Sequence, residues 1–169
     1  LKTNLVNLGN GVEGLYVEDS RFKTTLVSFS FFMPICEDTA ADNALVPFLL
    51  TTSCEECPSF KELNIRLAKL YGAKISASVS KVGDCQLLKM SVSCINDRFA
   101  LNGEKIVSEA TGLLASMIFN PQLCGEAFLA SEVEREKRLM KERILGEINE
   151  KRLYARNQLL SLMFRDDDY

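Results

Sequence analysis

Within residues 59–94 the spacing of apolar side chains changes period once, from that of a helix to that of a strand, and this change constrains the fold more than any other feature. Ser59 is placed to cap a helix N-terminus, with Glu62 three residues on as its capping-box partner and Pro58 just outside. Leu63, Leu67 and Leu70 then recur at helical spacing, Ile65 and Ala68 widen the stripe, and Gly72 is a natural stop. From there the period is two. Ile75, Ala77 and Val79 alternate with Lys74, Ser76, Ser78 and Ser80. After a turn at Gly83-Asp84, Leu88, Met90, Val92 and Cys94 alternate with Lys89, Ser91 and Ser93. The pattern predicts a helix leading into a β-hairpin with one apolar face and one face of serine and lysine.

The rest of the chain reads as packing for this unit. Gly9-Asn10-Gly11 is a turn between short apolar runs, so a strand or hairpin opens the fold. No phosphate-loop spacing follows it. Residues 24–33 read as a strand with Val27, Phe29, Phe31 and Met33 on one face. Leu26 and Phe32 lie on the other, which predicts cover on both sides, and Pro34 ends the strand. Residues 37–50 predict a helix that begins late, near Asn43, because Pro47 in a helix interior costs about 3 kcal/mol. Residues 102–119 predict an amphipathic helix burying Ile106, Ala110, Leu113, Leu114 and Met117, stopped by Asn120-Pro121. Residues 127–164 read as one long charged helix, or two joined by a bend. Its expected buried stripe is Leu129, Val133, Met140, Ile144 and Ile148, with Glu134–Arg138 and Glu147–Lys151 pairing on the solvent side. Glu136 and Lys137 interrupt that stripe, so one charged side chain points inward. The order β-β-α-α-β-β-α-α is an α+β pattern: an antiparallel sheet with helices packed on one face, in a single domain over residues 1–169.

Charge and composition exclude several functions. A net charge of −3 argues against nucleic acid as an electrostatic partner. No apolar run approaches a membrane span and no secretory leader opens the chain, so no membrane partner is expected. The six scattered cysteines read as reduced thiols of a cytoplasmic protein. There is no histidine, which removes Ser-His-Asp catalysis, Cys-His catalysis and imidazole metal sites from these residues.

Three residue groups carry competing readings. Cys54-x-x-Cys57 has the spacing of half a zinc site or a redox pair. A four-thiolate site needs a second close pair, and Cys36, Cys85, Cys94 and Cys124 are dispersed. Glu55 and Glu56 between the thiols oppose thiolate formation, so ordinary loop thiols are the simpler account. Glu136 in its apolar stripe calls for a cationic partner, since an unpaired buried charge is costly. Asp166, Asp167 and Asp168 have the charge to attract a divalent cation, but such terminal runs are generally solvated.

The helix ending Leu70-Tyr71-Gly72-Ala73, followed by Ser76-Ala77-Ser78-Val79-Ser80, resembles the N-terminal domain of the insulinase/pitrilysin family of zinc peptidases. Residues 58–64 (Pro-Ser-Phe-Lys-Glu-Leu-Asn), 70–73 and 136–139 (Glu-Lys-Arg-Leu) are similar to the histidine-free members found in Gram-positive bacteria. Active members carry His-x-x-Glu-His on the helix before the position of Pro58, where i and i+4 imidazoles hold zinc and the glutamate polarises the metal-bound water. Counting back from Pro58, the five motif positions are Ala44, Leu45, Val46, Pro47 and Phe48. Glu136 falls at the place of the third ligand. Both imidazoles and the base are missing, so the resemblance implies no catalysis and no zinc or other cofactor.

The resemblance further implies a half-domain of a two-domain, clam-like protein. The chain stops in mid-pattern and reads as an N-terminal piece of a longer one, with a sheet edge left open. It implies a non-catalytic, peptide-binding or chamber-forming partner of an active zinc-peptidase homologue, or of its own C-terminal half. Strand 76–80 is the place where a peptide would add as a further strand; an internal strand with a hydrophilic outer face is the plainer alternative. Two rival readings remain at this level: a peptidase whose catalytic motif lies outside this segment, and a thiol-metal structural protein organised by Cys54 and Cys57.

Overall fold

In the computed structural model, which describes residues 2–165, Ser59 caps its helix as the sequence predicts. Its hydroxyl accepts the Glu62 backbone N–H at 3.2 Å, and the Glu62 carboxylate accepts the Ser59 N–H at 3.1 Å. Two of the orphan donors at the helix start are satisfied reciprocally. The helix spans Phe60–Lys69, and the chain turns through two left-handed residues, Tyr71 at φ 57° and Gly72 at φ 74°. Glycine adopts that conformation freely; tyrosine does not. Tyr71 is held there by its own hydroxyl, which donates to Glu104 at 2.9 Å and accepts the Leu101 N–H at 3.1 Å.

In chain order the elements are β1 (Lys2–Gly9), β2 (Val12–Glu18), β3 (Thr24–Pro34), α1 (Glu37–Leu50), α2 (Phe60–Lys69), β4 (Lys74–Val82), β5 (Cys85–Ile95), α3 (Ile106–Phe119), α4 (Ala130–Gly146) and α5 (Lys151–Met163). The fold is α+β with antiparallel sheets, as expected, although three strands rather than two precede the first helix. The main sheet has the order β3-β5-β4, so β5 is central. Its register stacks Val27, Val92 and Ile75 in one row and Phe29, Met90 and Ala77 in the next. Met90 and Val92 are buried beneath α3, whose Ile106, Ala110, Leu113, Leu114 and Met117 are the predicted apolar stripe and are all buried. Phe29 closes the β3 side edge-on against Phe119, ring centres 6.3 Å apart.

The opposite face is open. Ser28, Ser91 and Ser76 form one row across the three strands, and Ser30, Lys89 and Ser78 form the next. Leu26 and Phe32 project from this face, each 63% exposed, so the cover expected on both sides of β3 is absent among the described residues. The β1–β2 hairpin forms a separate two-stranded sheet whose residues are exposed, apart from a half-buried Gly14.

Several sequence expectations are corrected. Helix α1 starts at Glu37 rather than near Asn43, so Pro47 sits in its interior and the bond to the Asn43 carbonyl is forgone. Pro47 is fully buried, and the Thr51 hydroxyl reinforces the last turn through the Pro47 and Phe48 carbonyls, at 3.0 and 3.1 Å. Helix α3 starts at Ile106, not at residue 102. Ile65 and Ala68 of α2 are exposed and do not widen its buried stripe. The last helical segment takes the second of the two forms expected, two helices joined by a 3-10 turn, Glu147–Asn149. Its stripe is half-buried at Val133 and Met140 but exposed at Leu129, Ile144 and Ile148. Glu134 pairs with Lys137 at 3.6 Å rather than with Arg138, Arg138 meets Glu142, and Glu147 accepts a hydrogen bond from Asn157. The Asp166–Asp168 run lies outside the described residues.

The two faces of the sheet differ in what they contribute. Leu114→Ala, in the centre of the core, should lower unfolding free energy by about 2–5 kcal/mol. Leu26→Ala on the open face should change it by less than about 1 kcal/mol. Urea unfolding of both variants checks this; equal losses would mean that the open face is covered in solution.

Candidate functional site

Side-chain chemistry decides what positions 44–48 can do. Ala44, Leu45, Val46, Pro47 and Phe48 carry no lone pair to offer a metal. All five lie in α1, with Leu45 and Pro47 buried and Ala44, Val46 and Phe48 half-buried. Helix α1 packs against α4, β4 and β5, and it is therefore the common neighbour of the two regions singled out from sequence. From α4, the Arg143 guanidinium lies over the Phe48 ring, 4.8 Å from its centre. That is a cation–π contact, worth roughly 0.5–2 kcal/mol depending on solvation.

Glu136 is the single residue of α4 that the structure buries, at 7% exposure. Its carboxylate accepts from Arg135 Nε at 3.2 Å, so the cationic partner expected for it is present, supplied by its own chain neighbour. Arg143 follows Glu136 by seven residues, two helical turns, which returns it to the same side of α4. The seven-residue spacing places Arg143 on the side of Glu136, but nothing in the sequence marks Phe48 as its partner.

Zinc does not fit this arrangement. The Glu136 carboxylate is already paired with an arginine, and positions 44–48 of α1 offer only alkyl and phenyl side chains. Among the described residues no group of three or more cysteine, aspartate or glutamate side chains is placed to hold a metal. Cys54 and Cys57 lie in the loop between α1 and α2, as read, but they are buried. They are 0% and 7% exposed, belong to the core cluster, and face each other across a two-way backbone bridge of 3.1 and 3.0 Å. Burial, with Cys54 alongside, pushes the Cys57 thiol above its ordinary pKa, the opposite of a reactive thiolate.

Strand β4 carries the second candidate region, Ser76, Ala77, Ser78, Val79 and Ser80. It pairs with β5 on one side, and among the described residues its other edge has no strand beside it. Ala77 and Val79 are half-buried toward the helices; Ser76, Ser78 and Ser80 point to the open face, with Ser76 bonded to the Ser91 hydroxyl at 2.9 Å. The row of backbone groups along the free edge is the hydrogen-bonding surface that an extended chain requires.

If positions 44, 48 and 136 converge as the resemblance implies, ligands can be restored by substitution. The triple variant A44H/P47E/F48H should bind close to one zinc per chain, and adding E136Q should weaken that binding by about tenfold or more. Zinc titration of folded samples, checked by circular dichroism, measures this. Zinc affinity no better than that of the parent would show that α1 and α4 do not hold the peptidase frame.

No family model matches the chain. It is 28% identical over 159 residues to "Probable inactive metalloprotease YmfF" of Bacillus subtilis (strain 168), an alignment covering 94% of this chain and 37% of that protein. Its structure is similar to "Crystal structure of a conserved protein from Enterococcus faecalis V583", with a TM-score of 0.86 and 28% identity over 98% of this chain and 39% of that one. The chain thus spans a little over a third of the length of each relative. With a probable inactive metalloprotease matching nearly all of it, the likeness of this chain to the histidine-free members of the insulinase/pitrilysin family is borne out.

Proposed function

We propose that this chain is part of a non-catalytic peptidase homologue that holds extended peptides, enclosing them together with an active zinc-peptidase homologue or with the remainder of its own protein. The observation that carries the reading is the conversion of the motif helix into packing. Positions 44–48 are alkyl or aromatic, Phe48 lies under Arg143, and Glu136 is closed off by Arg135. The relative named as a probable inactive metalloprotease supports the loss of catalysis. Two features support a retained binding role. The β4 edge is free among the described residues, and α1 packs against that same strand. Pairing along an edge uses backbone groups alone, so it survives the loss of zinc ligands. A cytoplasmic setting is part of the proposal: all six cysteines are free thiols, and no helix among the described residues is long and apolar enough to cross a membrane.

The full-length protein should retain a fluorescent extended peptide in gel filtration and return it uncleaved, with or without added zinc. Adding a zinc-bearing homologue from the same organism should yield a co-eluting complex that cleaves the peptide. Chelator-sensitive cleavage by the full-length protein alone would overturn the proposal, as would failure to retain peptide in both settings.

A further inference from the structure

An open groove of about 340 Å³ lies between α2 and the beginning of β4. Its apolar walls are Phe60, Leu63 and Leu67 of α2 and Ile75 of β4. Thr51, whose hydroxyl ties it to the carbonyls of Pro47 and Phe48, lies at the α1 end, so the groove adjoins the degenerate motif helix. Lys74, the first residue of β4, borders the groove; its register with Ser93 places its side chain on the open face, and it is exposed. The neighbouring acid on α2, Glu62, is held in the capping box by Ser59, and Glu109 is paired with Arg66 at 3.1 Å.

Strand geometry converts this lining into a sequence preference. A peptide added antiparallel to β4, the sense used throughout this sheet, pairs residue against residue, and paired residues point to the same face. The peptide residue opposite Ile75 therefore points to the helix side, into the groove. The next residue toward the peptide's C-terminus stands opposite Lys74, on the open face, where an ammonium group awaits it. We infer that this edge selects extended peptides carrying a bulky apolar residue followed directly by an acidic one. The inference rests on the edge-pairing reading given above and adds the identity of the peptide to it.

Three labelled hexapeptides test it with the full-length protein by fluorescence anisotropy: Thr-Thr-Phe-Glu-Thr-Thr, the order-swapped Thr-Thr-Glu-Phe-Thr-Thr, and Thr-Thr-Phe-Lys-Thr-Thr. The first should bind about threefold tighter than the other two, the range expected for an exposed ion pair. Replacing its Phe by Thr should weaken binding by about tenfold. K74E should reverse the choice between the Glu and Lys peptides. Two copies of the first peptide, N-methylated at one or the other set of alternate residues, report on edge pairing separately, and one of them should lose binding. Loss with an N-methylated copy, but equal binding of the three sequences or a preference unmoved by K74E, would overturn the inference and leave edge pairing standing. No binding by any peptide, or full binding by both N-methylated copies, would overturn edge pairing and the inference together.

Discussion

The fold depends on the burial of one face of β5. That strand is paired on both sides and supplies Leu88, Met90, Val92 and Cys94 to the core. At about 25 cal/mol per Å² of apolar surface, a buried side chain of this size contributes on the order of 1.5–3 kcal/mol. Helix α3 covers the row from above with five buried apolar side chains, and α1 packs against both β4 and β5. Because side chains alternate strictly along a strand, fixing the inner face also fixes the outer one. The ladder of serines on the outer face and the free edge of β4 are consequences of that single packing decision.

The same constraint explains the fate of the motif helix. A metal-binding helix keeps polar ligands at the inner boundary of a core, at a cost in stability that function justifies. Here α1 presents Leu45, Pro47, Leu49 and Leu50 to the interior instead. The proline is tolerated despite its missing donor because its ring is buried and Thr51 satisfies carbonyls of the final turn. On α4, Glu136 remains buried, but its charge is answered locally by Arg135, and Arg143 rests on an aromatic face. In the proposed reading it is the ligand chemistry that is missing, while α1 and α4, the helices that would carry it, are in contact.

The helix-hairpin unit was legible because its signals are local. A capping box and a change of period are set by residues within a few positions of one another, and both appear as read. The buried face of α3 was legible for the same reason. Errors arose where distant residues decide. The start of α1 is not legible, because the burial of Pro47 that offsets the cost of an interior proline is a tertiary feature. Ile144 and Ile148 fit a helical stripe, yet periodicity says nothing about whether a partner element covers it, and here they are exposed. Cys54 and Cys57 lie in a polar loop segment whose sequence does not show their burial; in the structure they are bridged through their backbones and belong to the core. The contact between Arg143 and Phe48 joins residues far apart in the chain, so no local pattern marked its partner.

The central claim of the proposed function is that a peptidase-like framework persists here with packing in place of metal chemistry. Zinc content tests this most directly, measured by elemental analysis on full-length protein purified without an affinity tag and under reducing conditions. The account predicts well under one tenth of a zinc per chain, unchanged by chelator treatment. A value near one zinc per chain that falls when this chain's cysteines or carboxylates are substituted would contradict it.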